Sequence, residues 1–108
     1  MPPTITKLFS APAPQANEII TPLFAGQRFT LQHIASRGQP SPKDFWYDQD
    51  TQEWVALIQG QAVLEFEDGP LSLTAGDAIL IPPHQKHRVS KVTPNAIWLA
   101  LHADAERE

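Results

Sequence analysis

The chain contains no cysteine. Disulfides, thiolate nucleophiles and zinc–thiolate centres are therefore excluded, and a reducing cytoplasm is the expected location. It also lacks an excess of positive charge: eight Lys and Arg stand against twelve Asp and Glu, a net charge of −4. An acidic protein gains no counterion-release energy on nucleic acid or on an anionic membrane, so neither is an expected partner. No apolar run approaches the roughly eighteen residues of a membrane span. Lys7 near the N-terminus is not followed by the apolar stretch of a secretory signal. A helical pattern of three turns is missing as well. Ser10, Ser36, Ser41, Ser72 and Ser90 sit in no nucleophile-elbow context, and there is no Gly-rich phosphate loop. What remains is a chain of 108 residues, enough for one domain and one core.

What is present is mainly β. Residues 1–16 form a proline-rich arm with Pro2, Pro3, Pro12 and Pro14, a stretch expected to be extended because proline removes backbone donors and restrains φ. Residues 17–102 form the domain, and 103–108 a short charged tail. Within the domain, strands are predicted at Glu18–Phe24, Arg28–Ser36, Asp44–Tyr47, Glu53–Gln59, Gln61–Glu67, Leu71–Thr74, Ala78–Ile81, His87–Val92 and Asn95–His102. They are short, closely spaced and bounded by Gly, Pro, Asn and Asp, which favours a sandwich or barrel. Three turns punctuate them: Gln59-Gly60-Gln61, Glu67-Asp68-Gly69-Pro70 with Asp-Gly at a hairpin tip, and Thr74-Ala75-Gly76-Asp77. The last strand, through Ile97-Trp98-Leu99-Ala100-Leu101, is almost wholly apolar and is expected to be covered on both faces by a partner subunit or by the arm.

Two glycine-anchored frames lie in register inside this pattern. Glu53 is followed after six residues by Gly60; fifteen residues later comes Gly76, then Pro82 after five more and His87 after another four. The frame E-x6-G followed by G-x5-P-x4-H resembles the two-motif signature of the cupin superfamily. The resemblance spans residues 42–91. The segments Ala35–Pro42, Phe45–Asp50 and Trp98–His102 extend it over most of the chain by their likeness to a small bacterial subgroup. It implies an all-β fold, a double-stranded β-helix or jelly-roll barrel.

The resemblance also implies a site. The usual first motif carries two histidines one residue apart and a Glu four residues after the second. In this chain those two positions hold Trp46 and Asp48. Carried over residue by residue, the ligand set is Asp48, Glu53 and His87, two carboxylates and one imidazole, a set suited to a divalent Zn, Mn or Fe rather than copper. The local alternatives stay open: Asp48 as an Asx-turn residue, Glu53 as an exposed strand-start carboxylate, His87 as a hydrogen-bonded histidine in the barrel mouth. Side chains two apart on a strand share a face. Trp46 and Asp48 therefore go together, as do Glu53, Val55 and Leu57, and as do Trp98, Ala100 and His102. His84 takes the place of a motif glycine and is expected at the rim. His33 is expected to be a packed or surface histidine.

Two functions of different class follow. In one, a divalent metal on Asp48, Glu53 and His87 acts as a Lewis acid on a small oxygenated compound. In the other, a metal-free pocket binds a small molecule against Trp46 and Tyr47, with His102 facing the ligand. The sequence does not choose a reaction, nor whether there is one. A small-molecule ligand and a homodimer are the expected partners.

Overall fold

The computed structural model describes residues 2–10 and 18–104. Residues 1 and 11–16 of the expected arm, residue 17 of the expected domain and 105–108 of the expected tail lie outside the described residues. Eight strands are described: β1 (Ile19–Ala25), β2 (Phe29–Ala35), β3 (Gln52–Gln59), β4 (Gln61–Phe66), β5 (Gly69–Thr74), β6 (Ala78–Ile81), β7 (His87–Val92) and β8 (Ile97–Ala103). They form two antiparallel sheets, one ordered β1-β2-β8-β3-β6 and one ordered β5-β4-β7. After β3 the chain moves to the smaller sheet for β4 and β5, returns for β6, crosses again for β7 and ends in the larger sheet with β8. This is the jelly-roll β-barrel that the family resemblance implies.

The turns follow from local chemistry. Gly60 joins β3 to β4 at φ +87°. A Cβ there would stand 2.5 Å from Thr93 Oγ1 and 2.8 Å from Ala96 Cα, so both the conformation and the space demand glycine. Asp77 holds the turn before β6 by accepting the Thr74 N–H through Oδ2 at 2.8 Å. The core fills the space between the sheets with Val55, Leu57, Leu64, Leu73, Ile81 and Trp98. Leu57 and Ile97 are the largest fully buried side chains.

One expectation about strands is corrected. The segment Asp44–Tyr47 is not a strand. The Phe45 N–H turns back to the Pro42 carbonyl at 3.0 Å, and Asp44 adopts a left-handed φ of 69°. Only Tyr47 pairs with a strand, through an isolated bridge to His87. β8 lies in the middle of the larger sheet, between β2 and β3. On the outer face His33, opposite Leu99 in the ladder, donates from Nε2 to the Leu8 carbonyl at 2.7 Å, which ties residues 2–10 to the sheet. His33 is thus a buried, satisfied histidine.

Candidate functional site

The two sheets enclose a cavity of about 440 Å³. Its wall is apolar, built from Ile34, Val55, Leu64, Ile81, Val89 and Trp98. Strand alternation decides this. On β2 the residues Thr30, Gln32 and Ile34 point in; on β3 Glu53 and Val55; on β7 His87 and Val89; on β8 Trp98 and His102. Glu18, Ile20, Tyr47 and Gln49 complete the lining.

Glu53 is the polar centre. In the β3–β8 ladder it sits directly opposite His102, which brings two inward side chains of neighbouring strands together. His102 Nε2 lies 3.6 Å from Glu53 Oε2. His87 reaches the same carboxylate from the opposing sheet, its Nε2 3.3 Å from Glu53 Oε1. The His87 and Glu53 side chains are only 8% and 13% exposed, so this pair meets little water. Even so, no donor is aligned as a hydrogen bond on the enclosed Oε1. The Gln49 side-chain oxygen is likewise enclosed and unbonded.

The protonation of His87 follows from its neighbours. Its Nδ1–H donates to the Gln85 carbonyl at 2.9 Å, and a carbonyl can only accept. Nδ1 therefore keeps its hydrogen, and Nε2 is the nitrogen that titrates. A neutral His87 would turn a lone pair on the Glu53 carboxylate; a protonated one turns an N–H on it. Burial alone pulls the His87 pKa down, but contact with Glu53, the Gln85 carbonyl and the Glu53 charge together outweigh it and leave the value raised above 6.5. Burial, followed by the charges of Glu18 and Glu53, likewise raises the Tyr47 phenol, against the opposing pull of Ser41. Partial enclosure at the mouth raises Glu18.

Tyr47 owes its place to paired backbone bonds with His87: its N–H donates to the His87 carbonyl at 2.7 Å and its carbonyl accepts from the His87 N–H at 3.1 Å. The phenol then stacks on the imidazole, with ring centroids 5.4 Å apart and 25° between planes. Alternation turns Tyr47 and Gln49 inward, so Trp46 and Asp48 are absent from the lining. Trp46 is half-buried beside the cavity wall, and Asp48 is exposed. Asp48 accepts a hydrogen bond from His84 Nδ1 at 2.9 Å, at the rim and in water, with side chains 42% and 67% exposed. His84 is held there by a left-handed φ of 63° and by its N–H on the Gln49 carbonyl at 2.7 Å.

The structure thus brings Glu53, His87, His102 and Tyr47 together and leaves Trp46 and Asp48 outside. Glu18, Thr30, Gln32 and Gln49 line the cavity without having been singled out from the sequence. The alternation on β2 is the one signal that could have found Thr30 and Gln32. The expected ligand set Asp48, Glu53 and His87 is not assembled, because Asp48 is turned away onto His84. Among the described residues no group of three or more His, Asp or Glu side chains is placed to hold a metal ion. The residues as they stand do not fit the metal centre expected from the motif frame.

With this geometry in hand, the lineage can be stated. The cupin domain family profile matches residues 33–102. The chain belongs to the cupin family. A crystal structure of a "putative mannose-6-phosphate isomerase" from Ralstonia eutropha is 36% identical, covers 95% of this chain and 100% of its own, and superposes with a TM-score of 0.89. A cupin superfamily protein from Desulfitobacterium hafniense is 17% identical over 88% of this chain and 84% of its own, at a TM-score of 0.75. An RmlC-like cupin from Desulfovibrio desulfuricans is 12% identical over 95% and 97%, also at 0.75. The last two share the fold alone. No curated protein of established function matches the chain.

Proposed function

We propose that this cupin binds a small organic molecule inside the barrel, with no metal required. The ligand's body rests on Trp98 and Tyr47, and its polar end meets Glu53, His87 and His102. The observation that carries this reading is a buried carboxylate, Glu53, whose Oε1 accepts no aligned hydrogen bond, in a cavity that combines apolar side chains with a few convergent polar groups. A pocket of this kind, apolar with a few convergent polar groups, is the usual form of a small-molecule site. Glu53 and His87 together can also hold and pass a proton, since Nε2 and Oε1 share the same space. That capacity is compatible with the isomerase name given to the Ralstonia protein. The cysteine-free chain suits a cytoplasmic site, and a homodimer belongs to the same proposal.

A second reading, a divalent Zn, Mn or Fe site, rests on the convergence of two imidazole nitrogens on the Glu53 carboxylate. It would use His102 in place of Asp48. Elemental analysis of tag-free protein, purified without added metal or chelator, separates the two. Metal near one equivalent, lost in both Glu53→Ala and His87→Ala, supports the second reading. Metal-free protein that takes up no Zn²⁺, Mn²⁺ or Fe²⁺, yet shifts its Tyr47 and Trp98 side-chain NMR signals with a small-molecule probe, supports the first.

A further inference from the structure

The charges around the cavity specify more than its shape does. The described lining contains two carboxylates, Glu18 and Glu53, and no lysine or arginine. Arg88, next to His87 in sequence, is committed elsewhere: Nη1 to Glu65 at 3.0 Å and Nη2 to the Ser41 carbonyl at 3.0 Å. Lys86 is exposed and outside the lining. His87 Nε2 lies 3.3 Å from Glu53, and no lysine or arginine of the described lining stands beside Glu18. Both enclosed polar atoms that lack a bond at the cavity, Glu53 Oε1 and Gln49 Oε1, are acceptors. Buried acceptors without donors are costly, and a ligand that donates hydrogen bonds relieves that cost. Tyr47 and Trp98 contribute aromatic surface to the lining, a kind of surface that attracts cations.

Resting on the small-molecule reading above, we infer that the cavity selects an amine-bearing, cationic ligand and rejects phosphate esters. A phosphate placed beside Glu18, Glu53 and the Gln49 side-chain oxygen would find no lysine or arginine in the described lining and would lose hydration that the wall does not replace. An ammonium donates to Glu53 and Gln49 and satisfies the field of both carboxylates. The phosphorylated sugar in the name of the Ralstonia protein is therefore the wrong charge for this wall.

The test uses the full chain, washed with chelator, at pH 7 and low salt. It is titrated by calorimetry with benzylamine, benzyl alcohol and benzyl phosphate, three probes with one body and different charge, and with mannose 6-phosphate. Benzylamine is expected to bind at least about tenfold more tightly than benzyl phosphate, a conservative figure for one uncompensated charge in a partly enclosed site. Glu18→Gln, at the exposed mouth where folding is not at stake, is expected to narrow that ratio by about threefold. Tighter or equal binding of benzyl alcohol, benzyl phosphate or mannose 6-phosphate overturns the charge selection and leaves the small-molecule reading standing. An unchanged ratio in Glu18→Gln overturns it as well. If no probe binds, both fall.

Discussion

Two carboxylate–imidazole pairs sit within one small barrel and behave differently. Asp48 and His84 meet at 2.9 Å on the rim; Glu53 and His87 meet at 3.3 Å inside. By distance the rim pair is the better contact. By environment it is the weaker one, because water and salt screen charges that are half exposed. The inner pair has almost no water to turn to, so its charges must answer to each other, to His102 and to whatever enters the cavity. The shift of His87 belongs to that enclosure. The electrostatics of each pair are set by what surrounds it rather than by how closely the pair approaches.

The comparison can be broken most severely from the inside. Replacing His87 with Ala leaves Glu53 enclosed without its counter-charge. A loss of about 3 kcal/mol is expected, the usual cost of removing one member of a buried pair, read as a lowered urea midpoint at unchanged slope. A loss below about 0.5 kcal/mol would place the inner pair in the same class as surface pairs. Next comes Glu53→Gln, which keeps the volume and removes the charge. It should lower the His87 pKa toward or below its ordinary value, seen as a displaced imidazole titration by NMR, and weaken benzylamine at least about tenfold. An unmoved titration would mean that Glu53 does not govern His87.

The third prediction concerns pH. His87 binds its proton more tightly folded than unfolded, so its stabilisation is complete below the ordinary value of 6.5 and is lost as pH rises through the raised folded value. The urea midpoint should therefore be higher at pH 6 than at pH 8, and the difference should shrink in Glu53→Gln. Glu18 acts with the same sign but from 4.5 upward, so it contributes mainly below this window. A midpoint that rises from pH 6 to pH 8 would reverse the assignment. The smallest effect is expected at the rim: Asp48→Ala should cost no more than about 1 kcal/mol, less at high salt. A larger loss, insensitive to salt, would show that the rim pair carries structure.

Much of this was legible beforehand for a local reason. Gly60, Gly69 and Gly76 all adopt positive φ, and the turns they make divide β3, β4, β5 and β6 where the spacing places them. Alternation on β3 and β8 put Glu53 with Val55 and His102 with Trp98 on common faces, as the lining has them. The stretch from Asp44 to Gln49 was misjudged. Its consecutive aromatic residues read as a strand, yet Asp44 turns left-handed and only one bridge follows. Trp46 and Asp48, which the motif frame puts at ligand positions, are both absent from the cavity lining, whereas Tyr47 and Gln49 are in it.

The sequence by itself determined an all-β chain, its turns, its family frame and which residues travel together on each strand, because backbone geometry has a fixed period of two and glycine alone fits the tight turns. Only the tertiary structure decided which of those faces meets the cavity. Tyr47 turns inward because its backbone pairs with His87 on the opposing sheet, and Glu53 becomes the centre of the site because β8 lies beside β3 and β7 faces it. Such choices rest on contacts between residues far apart in the chain, and no local period encodes them.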